Sequence, residues 1–340
     1  MRIDRNLSLL LVIGQCLACT GSVDEDKASD PGKGPGSGTG SEPAVAGVVG
    51  ACEDTGDPGF VGMRRLTRSE LNHTLQDLLG DSTNPADVLP NEDSLLAAQS
   101  AVSALAFEKL EAVVSAAVEA AWQRDLANPQ ISSAKLRRCD PLTEGAACAE
   151  RIVTEFVRQA VRRPVTPAEL APFLALVQLA TTQGDTLDVG VKLAVKAALL
   201  DPEFVFRVEP DTDAAKVRSL SAHELAARLS FWLWETTPDA TLSQLADSGK
   251  LSDSAVVQEQ LIRMVSDPRA ERFADGLGVH WLGVSSLQVA QPNAALYPDF
   301  NEELRSAMAA ETTSFFRAFF AENLPVPAIV NADFTFLNST

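Results

Sequence analysis

The sequence predicts an all-α fold, a multi-helical orthogonal bundle that follows a signal peptide and a disordered N-terminal tether. Two observations carry the prediction. The segments LTRSEL, VTPAEL and LSAHEL repeat one helix-start device, a Thr or Ser with Glu three residues on and leucines flanking the pair. In such a capping box each side chain satisfies a backbone N–H that the first turn leaves unpaired, and the flanking leucines close as a staple. Behind each start the apolar residues recur at three- and four-residue intervals, the period of one buried helical face. The unequal spacing of the three copies makes them shared capping chemistry rather than a solenoid repeat.

The chain divides from its N-terminus as follows. Residues 1–19 read as an export signal of the lipoprotein type: Arg2 and Arg5, then the apolar run LSLLLVIG, then CLAC. That run is shorter than the ~20 residues that a membrane span needs. The CLAC ending resembles a lipobox, with Cys19 as the lipidated residue; Cys16, preceded by Gln15, is the weaker candidate. The only expected membrane contact is that lipid anchor. Residues 20–50, rich in Gly, Ser, Pro and Asp, bury too little apolar surface to fold and read as a tether.

The folded part is expected as an N-terminal helical module (51–130), a second (131–210) and a central one (211–340) that looks truncated. In the first, Thr67 caps, Glu70 completes the box, Leu66 and Leu71 form the staple, and Gly80 ends the helix. Leu71, Leu75, Leu78 and Leu79 form its buried face. His73 lies about 200° from Leu71, at ~100° per residue, and is expected to face solvent. Residues 93–126 form a long Ala-rich helix with no Gly or Pro.

In the second module, Ile152, Val153, Phe156, Val157, Ala160 and Val161 give a wide apolar face. Thr166, Pro167 and Glu169 then start a helix with Leu170, Phe173, Leu174 and Val177 inward. A further helix carries Val189, Leu193, Ala197 and Leu200, and Asp201-Pro202 turns the chain into EFVFRVE.

The central module opens with four helices in residues 220–283. Ser221 and Glu224 box the first, with Leu225, Leu229 and Trp232 on one face. Thr237-Pro238 is expected to start the second, ended by Gly249. The third carries Val257, Leu261, Met264 and Val265; Asp267-Pro268 starts the fourth, with Phe273, Leu277 and Trp281 in line. Packing in the core is the expected role of Trp232 and Trp234. A last long helix is expected to be capped by Asp299 with Glu302 and to turn Leu304, Met308, Phe315 and Phe319 inward.

The 340 residues suffice for a sizeable core, and 46% apolar with 22% charged residues is a globular balance. A net charge of −18 argues against nucleic acid, whose backbone calls for clustered Lys and Arg. No catalytic, cofactor or metal constellation is expected. His73, His223 and His280 are far apart in sequence and lack ligand spacing, and GxSxG, P-loop, GxGxxG and CxxCH patterns are all missing.

Export meets an oxidising compartment. With Cys19 lipidated, Cys139 and Cys148 are the expected disulfide across DPLTEGAA, leaving Cys52 over. A bridge from Cys52 to either of them is the rival pairing.

Two segments, RLSFWLWETTPDATLSQLADSGKL and MVSDPRAERFADGLGVHWLG, resemble the central module of a family of domains of unknown function. These occur in long multi-module surface proteins of planctomycetes and myxobacteria, often beside c-type cytochrome modules. The Arg-Arg-Pro turn at Arg162, the FRVE segment at Phe206, the paired cysteines and the first helix also resemble modules of that family. No activity is established for it, so the resemblance implies no catalytic residue. It implies a surface module docking protein partners, c-type cytochromes among the candidates. The alternative is part of an extracellular polysaccharide hydrolase whose site lies in further C-terminal modules.

Overall fold

A computed structural model of the chain describes residues 63–90, 102–128, 134–209 and 218–338. Cys19, the signal and tether segments and Cys52 lie outside the described residues, as do residues 93–101 of the expected Ala-rich helix.

The described residues are all-α. The ten longer helices are α1 (Arg68–Leu79), α2 (Ala104–Leu126), α3 (Ala146–Val161), α4 (Pro167–Thr182), α5 (Leu187–Leu200), α6 (Ala222–Trp234), α7 (Ala240–Asp247), α8 (Ser254–Val265), α9 (Glu271–Trp281) and α10 (Glu302–Ala321). Among the described residues, extended pairing is confined to β1 (Arg64–Arg65) and β2 (Phe206–Arg207), antiparallel, with Arg64 opposite Arg207.

The capping boxes form as the sequence dictates. Thr67 with Glu70, Thr166 with Glu169 and Ser221 with Glu224 each exchange both bonds. Gly80 ends α1 in the left-handed region at φ 73°, where a side chain would be strained. We expect Ser221→Ala to cost about 1 kcal/mol, the usual loss for an N-cap. An unchanged denaturation midpoint would show that this cap carries no stability.

The first two expected modules share one core. Leu71, Leu75, Leu78 and Leu79 of α1 join Val114, Val118 and Trp122 of α2, Ile152, Val153, Phe156 and Val157 of α3, and Val195 and Leu199 of α5. The described residues of 51–130 and 131–210 therefore supply one packed unit. Asp125, buried at the end of α2, ties the following strap to it by accepting from the backbone N–H of Leu136 and Arg137. Cys139 and Cys148 sit just beyond, buried and disulfide-bonded, with Cα atoms 6.0 Å apart.

A second core forms in the central module from Leu229, Leu233, Trp234, Leu242, Leu251 and Met264. The indole N–H of Trp234 donates to the Met264 carbonyl at 3.0 Å. The Arg269 guanidinium stacks 3.5 Å from the same indole, and Arg263 lies 5.3 Å away.

Two helix starts and the inward faces of α5, α9 and α10 need correction. The helix after Trp234 starts from Asp239, not Thr237. Asp239 accepts from the Leu242 N–H at 2.9 Å, while the Thr237 hydroxyl is spent on the Gln159 carbonyl at the end of α3. The last long helix is capped by Asn301 rather than Asp299, because the chain still turns at Phe300, whose N–H bonds the Tyr297 carbonyl.

On α5 the buried face is Val191, Ala194, Val195, Ala198 and Leu199, whereas Leu193 is exposed. Gly190 sets that rotation: a Cβ there would lie 2.8 Å from the Val177 Cα, so α4 and α5 approach at a distance only glycine allows. On α9 and α10, Trp281, Leu304 and Met308 are exposed; Phe316 and Phe319 are the fully buried residues of α10. No helix among the described residues is long and apolar enough to cross a membrane.

Candidate functional site: a cleft where the three segments meet

A cleft of about 960 Å³ opens where the two cores adjoin. β1 and the start of α1 supply Arg64, Thr67 and Glu70. The end of α3 supplies Arg162 and Arg163, and β2 with its flanks supplies Glu203, Arg207 and Glu209. From α6 come His223, Glu224, Arg228, Phe231, Trp232 and Glu235, and from α9 Phe273, Gly276 and Trp281.

Local sequence places these groups. Helix α3 stops at Arg162 because Pro164 follows and the residue before a proline is driven out of the helical region. Arg162 takes the left-handed conformation at φ 64°, as Glu235 does at the end of α6 at φ 51°. A non-glycine residue held there costs of order 1–3 kcal/mol and persists only where its surroundings over-determine it. Of the four described non-glycine residues with positive φ, these two line the cleft.

Arg162 is held by three backbone carbonyls, donating to those of Glu203, Phe204 and Phe206. Its guanidinium carbon lies 5.0 Å from the Phe231 ring, and that of Arg207 lies 5.1 Å from the same ring. Burial, with Arg207 beside it, pushes the Arg162 guanidinium down to about 9, still charged at neutral pH. Burial also lowers Arg207, against the pull of Glu70 at 3.3 Å.

Most carboxylates of the cleft are committed. Glu209 takes Arg228 in a two-pronged pair, Glu203 takes Arg163 at 2.6 Å, and Glu224 takes Arg218 at 2.7 Å. Glu235 differs. Its carboxylate accepts from the Ser69 hydroxyl and lies 3.3 Å from His73 Nδ1. A Cβ at Gly276 would collide with it, so glycine makes room for this carboxylate. His73 is thus half-buried rather than facing solvent as its helical angle predicts, because Glu235, the residue that follows α6, reaches that side of α1.

His223 sits at the rim, with Nε2 2.9 Å from Asp247 Oδ1, and Arg158 of α3 holds the other Asp247 oxygen. Hydrogen bonds from His223 and then Arg158 hold the Asp247 carboxyl below its usual range. A depressed carboxyl contributes stability above its unfolded pKa, near 3.9, and that contribution disappears as pH falls through the lower folded value. Wild type should thus lose thermal stability more steeply than Asp247→Asn below about pH 4. Parallel melting curves would remove the clamp.

The described His, Cys, Asp and Glu side chains converge as a metal would require only at Cys139, Glu144 and Cys148, where the two sulfurs are bonded to each other. Trp234 takes the core position expected of it. Trp232 also packs against that core, partly buried, and its outer side meets Phe273 edge-on, with ring centres 5.5 Å apart, on the apolar wall of the cleft. Sequence reasoning singled out the Arg-Arg-Pro turn, FRVE and the boxes as segments. It did not find Arg64, Arg207 or Glu235 as site residues, because the contacts that join them span more than a hundred residues.

Three family models match the chain. Those described as proteins of unknown function DUF1587, DUF1595 and DUF1592 match residues 64–123, 148–209 and 220–340 respectively. No curated protein and no solved structure matches it.

Proposed function

The chain belongs to this multi-module family of unknown function, and from that premise we propose that it is a surface-tethered, non-catalytic binding module. The cleft shared by all three segments receives the ligand or partner. One observation carries the reading: four of the cleft's five carboxylates are locked in arginine pairs. An acid or base must be able to exchange a proton with a substrate, and these cannot do so without breaking the walls apart.

The tether and the lipid anchor at Cys19 fit a role at the exported cell surface, with extracellular or redox proteins, c-type cytochromes included, as partners. The alternative is hydrolysis of extracellular polysaccharide. One feature favours it, Glu235 in its left-handed conformation with Ser69 and His73 against it.

A thermal-shift panel distinguishes the readings. It would span a purified c-type cytochrome, polysaccharide fragments and small amphipathic molecules, for wild type and Ala227→Trp, which fills the cleft. At least one member should stabilise wild type and not Ala227→Trp, with no new reducing ends from the polysaccharide. Equal stabilisation of both proteins would place binding elsewhere. Reducing ends released by wild type and lost in Glu235→Gln would replace binding with hydrolysis.

A further inference from the structure

We propose that the arginine-lined end of the cleft is an anion-recognition site, and that its ligand is an amphipathic anion, a charged head group on an apolar body. The inference rests on the binding reading and names the ligand's chemistry.

The first observation is a set of donors. The Nε atoms of Arg64, Arg162 and Arg207 are buried without a hydrogen-bond partner among the described residues, and all three residues line this cleft. Buried polar groups are ordinarily satisfied, and the fold packs these three guanidinium groups, from two of the three segments, side by side at one end of the cleft; Arg137 Nε is orphaned elsewhere in the fold. Guanidinium donors select carboxylate, sulfate or phosphate oxygens.

The second observation is the arrangement of charge. Arg64 stands directly opposite Arg207 across the β1–β2 pair. Like charges in that position destabilise a sheet. Arg162 and Arg207 share one face-to-cation partner, the Phe231 ring. Against these three cations stands Glu70, which must also cap α1 through Thr67. Glu203 and Glu209 are taken by Arg163 and Arg228. A surplus of positive charge is thus concentrated here in a chain of net charge −18. An arriving anion would relieve the repulsion.

The third observation is the opposite wall. Val208, Leu225, Trp232, Phe273 and Trp281 face the same space, and Trp281 is 59% exposed. The volume lies at the upper end of the small-molecule range, far more than a bare inorganic anion fills. The head group therefore carries a body that lies on these side chains. A fatty carboxylate has this chemistry, whereas an acidic oligosaccharide carries its charge on a hydroxylated body.

Calorimetry on the mature protein tests it with four probes: decanoate, trigalacturonate, decanol and inorganic phosphate. Decanoate should bind at least tenfold more tightly than phosphate and than trigalacturonate, whose body is polar; trigalacturonate binding more tightly than decanoate would overturn the proposal. Decanol should bind at least tenfold more weakly than decanoate. Arg64→Gln and Arg207→Gln should each weaken the bound anion by about tenfold or more. Arg64 is included because its side chain is tied into the fold less than that of Arg207, so its variant separates binding from folding. Unaltered melting temperatures would confirm that the variants are folded.

Decanol equal to decanoate, or affinity unmoved in both folded variants, would overturn the anion site and leave a binding cleft without charge selection. No binding by any of the four probes would also overturn it. The binding reading itself falls only if Ala227→Trp fails to change recognition in the wider panel.

Discussion

Trp234→Ala should lower the unfolding free energy by about 3–5 kcal/mol, the range for deleting a fully buried large aromatic. Three losses coincide at this residue. Its side chain has no exposed surface and packs among Leu229, Leu233, Leu242 and Met264, which cannot collapse far because they come from three helices. Its N–H bond to the Met264 carbonyl disappears, leaving a buried acceptor without that donor. The Arg269 guanidinium, stacked 3.5 Å from the ring, loses the surface it lies on. Trp234→Phe keeps an aromatic ring and loses the donor, so it should fall between wild type and alanine. Chemical denaturation of the three proteins checks the order. A loss under about 1 kcal/mol for alanine would mean that this part of the central module does not unfold with the rest.

Removing the Cys139–Cys148 bridge, as the double alanine variant, should cost about 2–3 kcal/mol by the loop-entropy relation for so short a closed loop. The volume lost with two buried sulfurs adds to that. The bridge joins the strap after α2 to the first turn of α3, where Asp125 holds Leu136 and Arg137 and Asp140 caps the short turn at Pro141–Glu144. The cost should therefore appear as faster hydrogen exchange in residues 134–150 before the whole domain melts. A peptide map without reductant should recover the two cysteines as one linked pair. Two free thiols, or a linkage to Cys52, would contradict the pairing.

Helix starts were legible because a capping box is local. Thr67, Thr166 and Ser221 each find their partner three residues away, and no distant contact is needed to form the pair. Asp239 and Asn301 were misread for a complementary reason. Each stands two residues from another capping type, and tertiary contacts decide between them: the Thr237 hydroxyl is claimed by α3, and the chain before Asn301 is still turning.

Burial was legible where one stripe is apolar and the others polar, as on α1. It failed on α5, whose sequence LDVGVKLAVKAALL offers more than one apolar stripe. There the close approach through Gly190 selects the buried side. It failed again on His73, because Glu235, the residue that follows α6, reaches the polar side of α1, a contact no helical wheel contains.

The sequence by itself determined the helical class, the three capping boxes and the family, because each is written in neighbouring residues or in long matching segments; it left Cys52 as a rival for the cysteine bridge, which the structure places between Cys139 and Cys148. Only the tertiary structure decided the cleft. Arg64, Arg162, Arg207 and Phe231 are scattered through 168 positions of the chain, and no periodicity links them. What brings them together is the antiparallel pairing of β1 with β2, the left-handed stop of α3, and Phe231 of α6 set against both Arg162 and Arg207. Coulomb repulsion and buried donors have meaning only at those distances, so the chemistry of the site appears when the segments meet.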